Sequence, residues 1–473
     1  GAMSVGSVVR GALLNPRSSG TVDYIADAAL VGNEHGRIEH VGPWDRVAAT
    51  LGSTAAKVRH AKGLIVPPML DAHVHISQHP VRGRFVEGIV DHAPLGRLLA
   101  GLDKNVFPAE ARCSDPDYAR AVVQAFYEDS LAHGVVGGAA YMTVHASATR
   151  IALSMLPDTW QVGMVLMNQN CPAYLRTDEP ALESDTESLA RDFGRRVIVT
   201  DRFAVAVSSR LRRRAVALAK GLGLRMQTHL NEQITEKEFV EKKLYPQCAS
   251  YTDVYRRDGV LDCAPILAHC IHMRPDEFDL LASHNALIAH CPVSNTLLES
   301  GVMPLDEVVA RGLSYVLCTD IGASPTTSLL CEMVQFLKVH ARYSSAATAE
   351  EALRRVTVVP AKALGFGDRF GEFEPGKEMS YVEVRPQVAP EGFWTARETI
   401  LQGLLGLQVS DLPRAGETSE LGDALDHLRR GHLDNDAELE RLTADVRGTT
   451  ERLDQAVQRV TLAGRTIWER KAV

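Results

Sequence analysis

Three histidines and an aspartate fall within ten residues of the sequence, in the segment DAHVHISQHP at positions 71–80. The segment follows an apolar run, GLIVPPML (63–70), which predicts a short buried strand. Residues two apart in a strand point to the same side, so His73 and His75 should project together from the strand end. Neutral imidazoles held side by side can ligate a divalent metal. An isolated His-x-His also fits two ordinary polar side chains, so further ligands must decide.

The elements that would position such ligands are predicted from short apolar runs that alternate with amphipathic stretches between about residues 67 and 345. Strands that alternate with helices indicate a parallel sheet, and eight such repeats are typical of a (β/α)8 barrel of the TIM type. Besides the run before His73, the strand candidates are GVVGGAAYMTV (134–144), QVGMVLMN (161–168), RVIVTDRFA (196–204), LRMQTHL (224–230), APILAHC (264–270), ALIAHCPVS (286–294) and SYVLCTD (314–320).

The predicted strand ends carry further metal-competent side chains, and barrel enzymes build their sites at the carboxyl ends of strands. The fifth strand ends in QTHLNE, which contains His229 and Glu232. The sixth, seventh and eighth end at His269, His290 and Asp320. Each of these polar groups, if buried alone, would be desolvated without a partner. Their joint occurrence around one barrel mouth therefore favours a metal site, although His290 is the weakest candidate and is left out of the ligand set.

Taken together and in this order, the motifs resemble the amidohydrolase superfamily and, within it, the guanine deaminase family. The resemblance covers about residues 60–380 and implies a hydrolytic deaminase that converts guanine and water to xanthine and ammonia in purine catabolism. The segments that carry it are DAHVHISQ, VFPAEARCSD, TDRFA, QTHLNE, YPQCASYTDVY, AHCPVSN and CTDIGAS.

The resemblance also implies roles for individual residues. It implies one zinc per chain, and iron and manganese accept the same nitrogen and oxygen ligands. The implied metal ligands are His73, His75, His229 and Asp320. The implied catalytic residues are Glu232, His269 and Asp320, and the implied purine contacts are Gln78, Arg202 and Phe203. These types suit the reaction, because a carboxyl group can carry protons to a ring nitrogen and a leaving amine, and an arginine can donate to a carbonyl oxygen.

Several positions depart from the family pattern and leave the substrate open. Asp201 stands where proline is usual, Asn231 replaces a serine, and VAVSS (205–209) and IGASPTTS (321–328) differ from the usual segments. The alternative substrates are 8-oxoguanine, a pterin or an isocytosine-like heterocycle. An amide-hydrolysing, dinuclear amidohydrolase is disfavoured because the fourth strand lacks a lysine. A non-catalytic binding protein is disfavoured by the complete ligand set.

The flanking regions predict a small β-sandwich domain built from both termini and a C-terminal helical insertion. The expected boundaries are 1–66, 370–395 and 457–473 for the small domain, 67–369 for the barrel and 396–456 for the insertion. Leucines and valines spaced along 419–460 give the inserted helices apolar faces that must be buried. Those faces either fold onto the barrel of the same chain or contact a second subunit, and a homodimer is expected.

Composition bounds the remaining properties. The chain of 473 residues is 45% hydrophobic and 23% charged, which is typical of a globular protein. Its net charge of −8 argues against a nucleic-acid partner. Eight scattered cysteines without a CxxC pair favour reduced thiols and a cytoplasmic location. No signal peptide or membrane span is expected, His79 and His92 are expected in loops, and 236–243 is expected to be a solvated helix.

Overall fold

The computed structural model describes residues 5–89 and 96–472. It begins with strands that alternate their apolar side chains between two faces of a sheet. Val8 packs against helix α1 (Trp44–Leu51), whereas its neighbour Val9 packs in a separate cluster with Phe373 and Tyr381. These strands are β1 (Val5–Pro16), β2 (Val22–Asn33), β3 (Ile38–Pro43), β4 (Val58–His60) and β5 (Leu64–Val66).

A series of parallel strands follows, and from β7 onwards each strand overlaps a segment that the sequence predicts. The first predicted strand, 63–70, is misplaced: Leu64–Val66 is β5 of the first sheet, and the parallel strand β6 begins at Met69 and contains His73 and His75. The first three pair in the order β6–β7–β8, and the remaining six in the order β9–β10–β11–β12–β13–β14. Their bounds are β6 (Met69–His75), β7 (Val135–Tyr141), β8 (Trp160–Gly163), β9 (Val165–Leu166), β10 (Val199–Asp201), β11 (Met226–Leu230), β12 (Ile266–His269), β13 (Leu287–His290) and β14 (Ser314–Leu317).

Backbone contacts join the two groups of parallel strands at both ends. A parallel bridge pairs Val162 of β8 with Val197, which lies two residues before β10. At the other end, the Asp320 N–H donates to the His73 carbonyl at 2.9 Å, and the His75 N–H donates to the Ile321 carbonyl at 2.7 Å. The carboxyl ends of β6 and β14 are therefore held side by side.

The C-terminal strands return to the first sheet. They are β15 (Tyr381–Val384), β16 (Val457–Leu462) and β17 (Arg465–Glu469). The sheet runs in the order β17–β16–β15–β5–β1–β2–β3, with β4 paired to β1. Strands from both ends of the chain therefore share one eight-stranded sheet.

Helices alternate with the parallel strands up to β14, as the pattern predicts, and further helices, from α13 onwards, follow the last of these strands. They are α2 (Gly96–Gly101), α3 (Phe107–Ala111), α4 (Pro116–Ala132), α5 (Ala146–Met155), α6 (Leu182–Phe193), α7 (Ser209–Leu222), α8 (Ile234–Glu238), α9 (Tyr251–Asp258), α10 (Pro275–Ala282), α11 (Pro292–Leu297), α12 (Leu305–Ala310), α13 (Leu329–His340), α14 (Ala349–Arg354), α15 (Val358–Ala363), α16 (Ala396–Glu398), α17 (Glu420–Arg429) and α18 (Asp436–Leu453).

The inserted helices α17 and α18 bury their apolar faces within their own chain. Leu425 and Leu428 of α17 and Leu442 of α18 form a small core with Val339 of α13. An ion pair between Lys338 and Asp445, at 3.0 Å, fastens α18 to the same helix. The apolar faces of the insertion are therefore buried against α13 of the same chain, which is the first of the two alternatives that the sequence left open.

Two further predictions can be compared with the described residues. All eight cysteines lie among them and are free thiols. Within 5–89 and 96–472, no helix is long and apolar enough to cross a bilayer.

Candidate active site

A cluster of buried imidazoles and one carboxylate lies where β6, β11, β12 and β14 end. The ligand atoms of His73, His229, His269 and Asp320 all lie within 4.8 Å of one another. His75 reaches the same carboxylate: its Nε2 lies 3.3 Å from Oδ1 of Asp320, and Nε2 of His73 lies 3.1 Å from that oxygen. The structure thus brings together the histidines and the aspartate that the sequence predicts from separate strands.

Parallel strands explain this convergence. The carboxyl ends of parallel strands meet at one edge, and the two-residue period of β6 places His73 and His75 on the same side. At the strand ends the backbone of Asn231, His269 and Asp320 adopts positive φ angles of 52°, 81° and 57°. Such conformations are uncommon for residues other than glycine and cluster at functional sites.

Hydrogen bonds to neighbouring residues fix the orientation of the clustered side chains. Nδ1 of His229 lies 2.5 Å from the Arg202 carbonyl and donates to it, which leaves Nε2 for another partner. Ser294 donates to Oδ2 of Asp320 at 2.7 Å, and Nδ1 of His269 lies 2.9 Å from Oδ1 of Asn295. Such partners orient metal-ligating side chains. Ser294 and Asn295 were not predicted as site residues, although the AHCPVSN motif contains both.

Burial favours the neutral form of three of the clustered histidines, His75, His229 and His269. Burial lowers the pKa of His75 and of His269 to about 4, and it lowers the pKa of His229 well below its ordinary value. Neutral imidazoles have a lone pair for a metal. Burial alone would raise the pKa of Asp320, but the contacts with His73 and His75 hold it well below its usual range.

The donor set fits a divalent metal. Nε2 of His73 and Nε2 of His269 are buried and have no hydrogen-bond partner among the described residues. A buried polar atom without a partner is costly, and a metal ion satisfies such nitrogens together with a carboxylate. Three imidazoles and a carboxylate are typical ligands of zinc and of other first-row metals.

The carboxyl group of Glu232 is buried beside the cluster, and its pKa is shifted. Its Oε2 lies 3.4 Å from Nε2 of His269. Burial, then the negative charges of Asp320 and Glu236, raise its pKa well above the ordinary value. A carboxyl group with a raised pKa can hold a proton near neutral pH and deliver it. The segment 236–243 is helical, as the sequence predicts, but only one side of it is solvated: Glu238, Lys242 and Lys243 are exposed, whereas Glu236 and Val240 are fully buried.

The cluster opens into a pocket of about 350 Å³. Polar side chains occupy part of its wall, and the sequence predicts all of them: Gln78, Arg202 and Glu232, beside the metal-competent groups. The rest is apolar and is formed by Phe85, Leu98, Leu102, Phe203 and Leu298. Apart from Phe203, these apolar residues carry no local signal in the sequence, because any of them could equally belong to the core.

The remaining histidine and cysteine predictions have separate outcomes. His290 pairs with His340 at 2.9 Å between their Nε2 atoms and lies outside the pocket lining. His79 is not a loop residue, since it is buried in the 3-10 helix Ile76–Val81 and contacts Asp129 at 2.9 Å. His92 lies outside the described residues.

The thiols next to His269 and His290 and near Asp320 donate to backbone carbonyls of the strands that they follow. Cys270 donates to Leu267, Cys291 to Ala289 and Cys318 to Val316, at 3.6–3.9 Å.

The two family departures next to the site face away from the pocket. Asp201 is fully buried and binds Nε of Arg212 at 2.7 Å. Asn231 donates to Glu277 at 2.9 Å and accepts from Lys237. Neither side chain lines the pocket, so neither contributes a direct contact to a ligand there.

The sequence from residue 64 to residue 400 matches the model of the amidohydrolase family. This match spans most of the chain. The chain belongs to the amidohydrolase family. Guanine deaminase of Escherichia coli (strain K12) is 31% identical to this amidohydrolase over 394 residues, which cover 80% of the chain and 85% of the relative. Guanine deaminase of Homo sapiens is 27% identical over 403 residues, covering 81% and 87%.

Solved structures agree with the family assignment. The structure of E. coli guanine deaminase superposes with a TM-score of 0.75 at 25% identity and covers 98% of this amidohydrolase and 100% of that chain. A guanine deaminase from C. acetobutylicum with guanine bound in its active site has a TM-score of 0.74 at 24% identity, with the same coverage. The resemblance predicted from the motifs is thereby confirmed, as is the mixed α/β fold of TIM-barrel type.

Proposed function

We propose that this amidohydrolase is a guanine deaminase, a hydrolase that cleaves a C–N bond of a cyclic amidine and converts guanine and water to xanthine and ammonia. One observation carries the proposal. A buried cluster that fits a metal shares a single pocket with a proton-holding Glu232 and with Gln78 and Arg202, which suit a purine edge. The relatives named guanine deaminase, which align over about 80% of the chain, support the same reaction.

We assign the metal to His73, His75, His229 and Asp320, and we propose one zinc per chain, with iron and manganese as alternatives. His73 and His75 both face Oδ1 of Asp320 at 3.1 and 3.3 Å, whereas His269 lies 3.7 Å from Oδ2, on the side of Glu232. This placement supports His269 as a catalytic group, although its Nε2 is also within reach of a metal. When bound, such a metal lowers the pKa of water so that it can attack carbon at neutral pH.

The side chains of the chain perform the proton transfers. Asp320 is placed to accept the proton of the attacking water. Glu232 carries a proton to the ring nitrogen and then to the departing amine, because its raised pKa lets it hold and release a proton near neutral pH. Nδ1 of His269 donates to Asn295, so its Nε2 carries a lone pair that can orient water.

The pocket walls bind and orient the heterocycle. Arg202 donates to the carbonyl oxygen, and Phe203 offers a ring face to the purine. Gln78 accepts from the Gly322 N–H at 3.3 Å, so the side-chain amide has a defined orientation towards a purine edge. The apolar wall excludes water from the bound ring and strengthens these polar contacts.

The test is turnover by the metal-loaded protein. We expect xanthine and ammonia from guanine, followed by ultraviolet absorbance and an ammonia assay. The panel includes 8-oxoguanine, a pterin and isocytosine, with Glu232→Gln as the matched inactive control. Turnover of an analogue but not of guanine would change the substrate assignment. An absence of turnover with the whole panel would exclude deamination.

The organisation of the protein is also a proposal. We propose a barrel at 67–369, a small β-sandwich domain at 1–66, 370–395 and 457–473, and a helical insertion at 396–456. The shared terminal sheet and the packing of α17 and α18 support this division. We further propose a cytoplasmic homodimer that acts in purine catabolism and binds neither nucleic acid nor membranes.

A further inference from the structure

The segment FPAE, residues 107–110, has no role in the mechanism above, yet its carboxylate lies between two of the proposed purine contacts. Glu110 is only 1% exposed, and both of its oxygens accept from Nη1 of Arg202, at 2.9 and 2.8 Å. Its Oε1 also lies 3.4 Å from Nε2 of Gln78. One buried carboxylate therefore contacts both side chains that are proposed to bind the heterocycle.

The same segment supports Arg202 from a second direction. The guanidinium carbon lies 5.2 Å from the ring centroid of Phe107, within the range of a cation–π contact. Both carboxylate contacts use Nη1, and no hydrogen bond to a described residue engages Nε or Nη2. Arg202 lines the pocket, so these nitrogens can donate to a ligand while Nη1 stays fixed.

The charge of the arginine is compensated before any ligand binds. An arginine without a carboxylate partner would attract an anion and bind a ligand carboxylate through two parallel N–H···O hydrogen bonds. Here the buried ion pair of Arg202 and Glu110 carries no net charge, and Nη1 of the guanidinium is already bound to the carboxylate. An anionic ligand beside Arg202 would also be repelled by Glu110 across a poorly solvated gap.

We propose that Glu110 is a positioning and selectivity residue that holds Arg202 and Gln78 to accept a neutral carbonyl and to disfavour an anionic ligand. The proposal rests on the proposed function only for the identity of the heterocycle. The preference of the pocket for a neutral over an anionic ligand does not depend on the reaction, and it can be measured by binding affinity alone. Glu110 acts through Arg202, so its effects should depend on that arginine.

The test compares two ligands of nearly equal shape, purine-6-carboxamide and purine-6-carboxylate. Their affinities are measured by calorimetry on metal-loaded protein that carries Glu232→Gln, so that turnover is not involved. In this background we expect the carboxamide to bind more tightly. Adding Glu110→Gln should shift the ratio of the two affinities towards the carboxylate by about 10-fold or more, because Arg202 is then an uncompensated buried cation.

Two further variants separate charge from position. Glu110→Asp keeps the negative charge but shortens the side chain, so it should still reject the carboxylate while the carboxamide binds more weakly. In Arg202→Met, adding Glu110→Gln should leave the affinity ratio unchanged, since the residue through which Glu110 acts is absent. With wild-type Glu232, Glu110→Gln should raise KM about 10-fold with little change in kcat.

The outcomes are distinct from those of the turnover assay. If the protein deaminates none of the panel, the proposed function fails, but the calorimetric comparison still decides the role of Glu110. Equal weakening of both ligands by Glu110→Gln, or the same shift in Arg202→Met, would refute the selectivity role. Should Glu110→Gln fail to fold, Glu110→Asp decides: a loss of carboxylate rejection with its charge intact would overturn the inference.

Discussion

Replacing Arg212 by methionine should destabilise the protein far more than the same change at the neighbouring Arg213. Arg212 is fully buried on α7 and binds Asp201 at 2.7 Å, Asp258 at 2.8 Å and the Val207 carbonyl at 2.8 Å. Asp201 directly precedes the Arg202-Phe203 pair, and Val207 follows it. The buried arginine thus binds both ends of the loop, Asp201 and Val207, that carries the proposed purine contacts Arg202 and Phe203.

The magnitude follows from the loss of one partner of a buried ion pair, which costs about 3–5 kcal/mol. Burial raises the pKa of Asp201 even with Arg212 present, so protonation of Asp201 in the variant limits the loss to the lower part of that range. At about 2.1 cal/mol/K per residue, unfolding of 473 residues carries an entropy of about 1 kcal/mol/K. We therefore expect Tm to fall by about 3–4 °C.

Arg213→Met is the matched control, because Arg213 also pairs with Asp258, at 3.0 Å, but its side chain is 67% exposed. An exposed ion pair contributes about 0–1 kcal/mol, so its Tm should change by about 1 °C or less. The assay is differential scanning calorimetry at equal metal loading, with KM measured in parallel. Arg212→Met should also raise KM, since the loop is released. Equal Tm values for the two variants would refute this reasoning.

Four further predictions follow from the site and its surroundings. Metal analysis should give one equivalent per chain, lost in His229→Ala; two equivalents, or full retention, would contradict the assignment. Glu232→Gln should lower kcat by about 10²–10⁴-fold while metal content stays unchanged, and a near wild-type rate would rule out the proton-carrier role. Burial lowers the pKa of His133, but hydrogen bonds to Asp129 and Asp454 outweigh burial and raise it to about 9. Its folded pKa thus exceeds the ordinary value of about 6.5, so the stabilisation is complete below pH about 6.5 and is lost as the pH rises through about 9. Tm should therefore fall more between pH 7 and pH 10 in the wild type than in His133→Gln, and parallel curves would contradict the linkage. Light scattering should show a homodimer, and a monomeric mass at all concentrations would exclude it.

The local order of the chain made much of the fold predictable. Short apolar runs bounded by polar residues predict the parallel strands from β7 onwards, because a strand buried on both faces carries apolar side chains on both. The first strand is misplaced, since the run 63–70 is divided between β5 and β6. The same rule places chemistry at the strand ends, where His73, His229 and Asp320 occur. Gln78, Arg202 and Phe203 were identified only through motifs, since a single glutamine, arginine or phenylalanine has no local property that distinguishes a ligand contact from an ordinary core or surface residue.

The misjudged positions share a physical cause. Glu236 and His79 look like surface residues because their neighbours in sequence are polar, but both are buried by segments distant in the chain. Asp201 appeared to alter the pocket because it stands beside Arg202, whereas its side chain points to Arg212, eleven residues away. Sequence proximity does not determine which side of a loop a carboxylate faces.

The sequence by itself determined the parallel strands, the metal-competent residues and the resemblance to the amidohydrolases, because these depend on periodicity and on motifs a few residues long. Only the tertiary structure decided which residues form an ion pair, line the same pocket wall or pack against each other. Glu110 meets Arg202 across 92 residues, and Leu98 and Leu298 meet in one pocket wall. It also decided that α17 and α18 cover α13 of their own chain. Such contacts depend on how the elements pack around one core, and no local pattern encodes the distance between residues that are far apart in sequence.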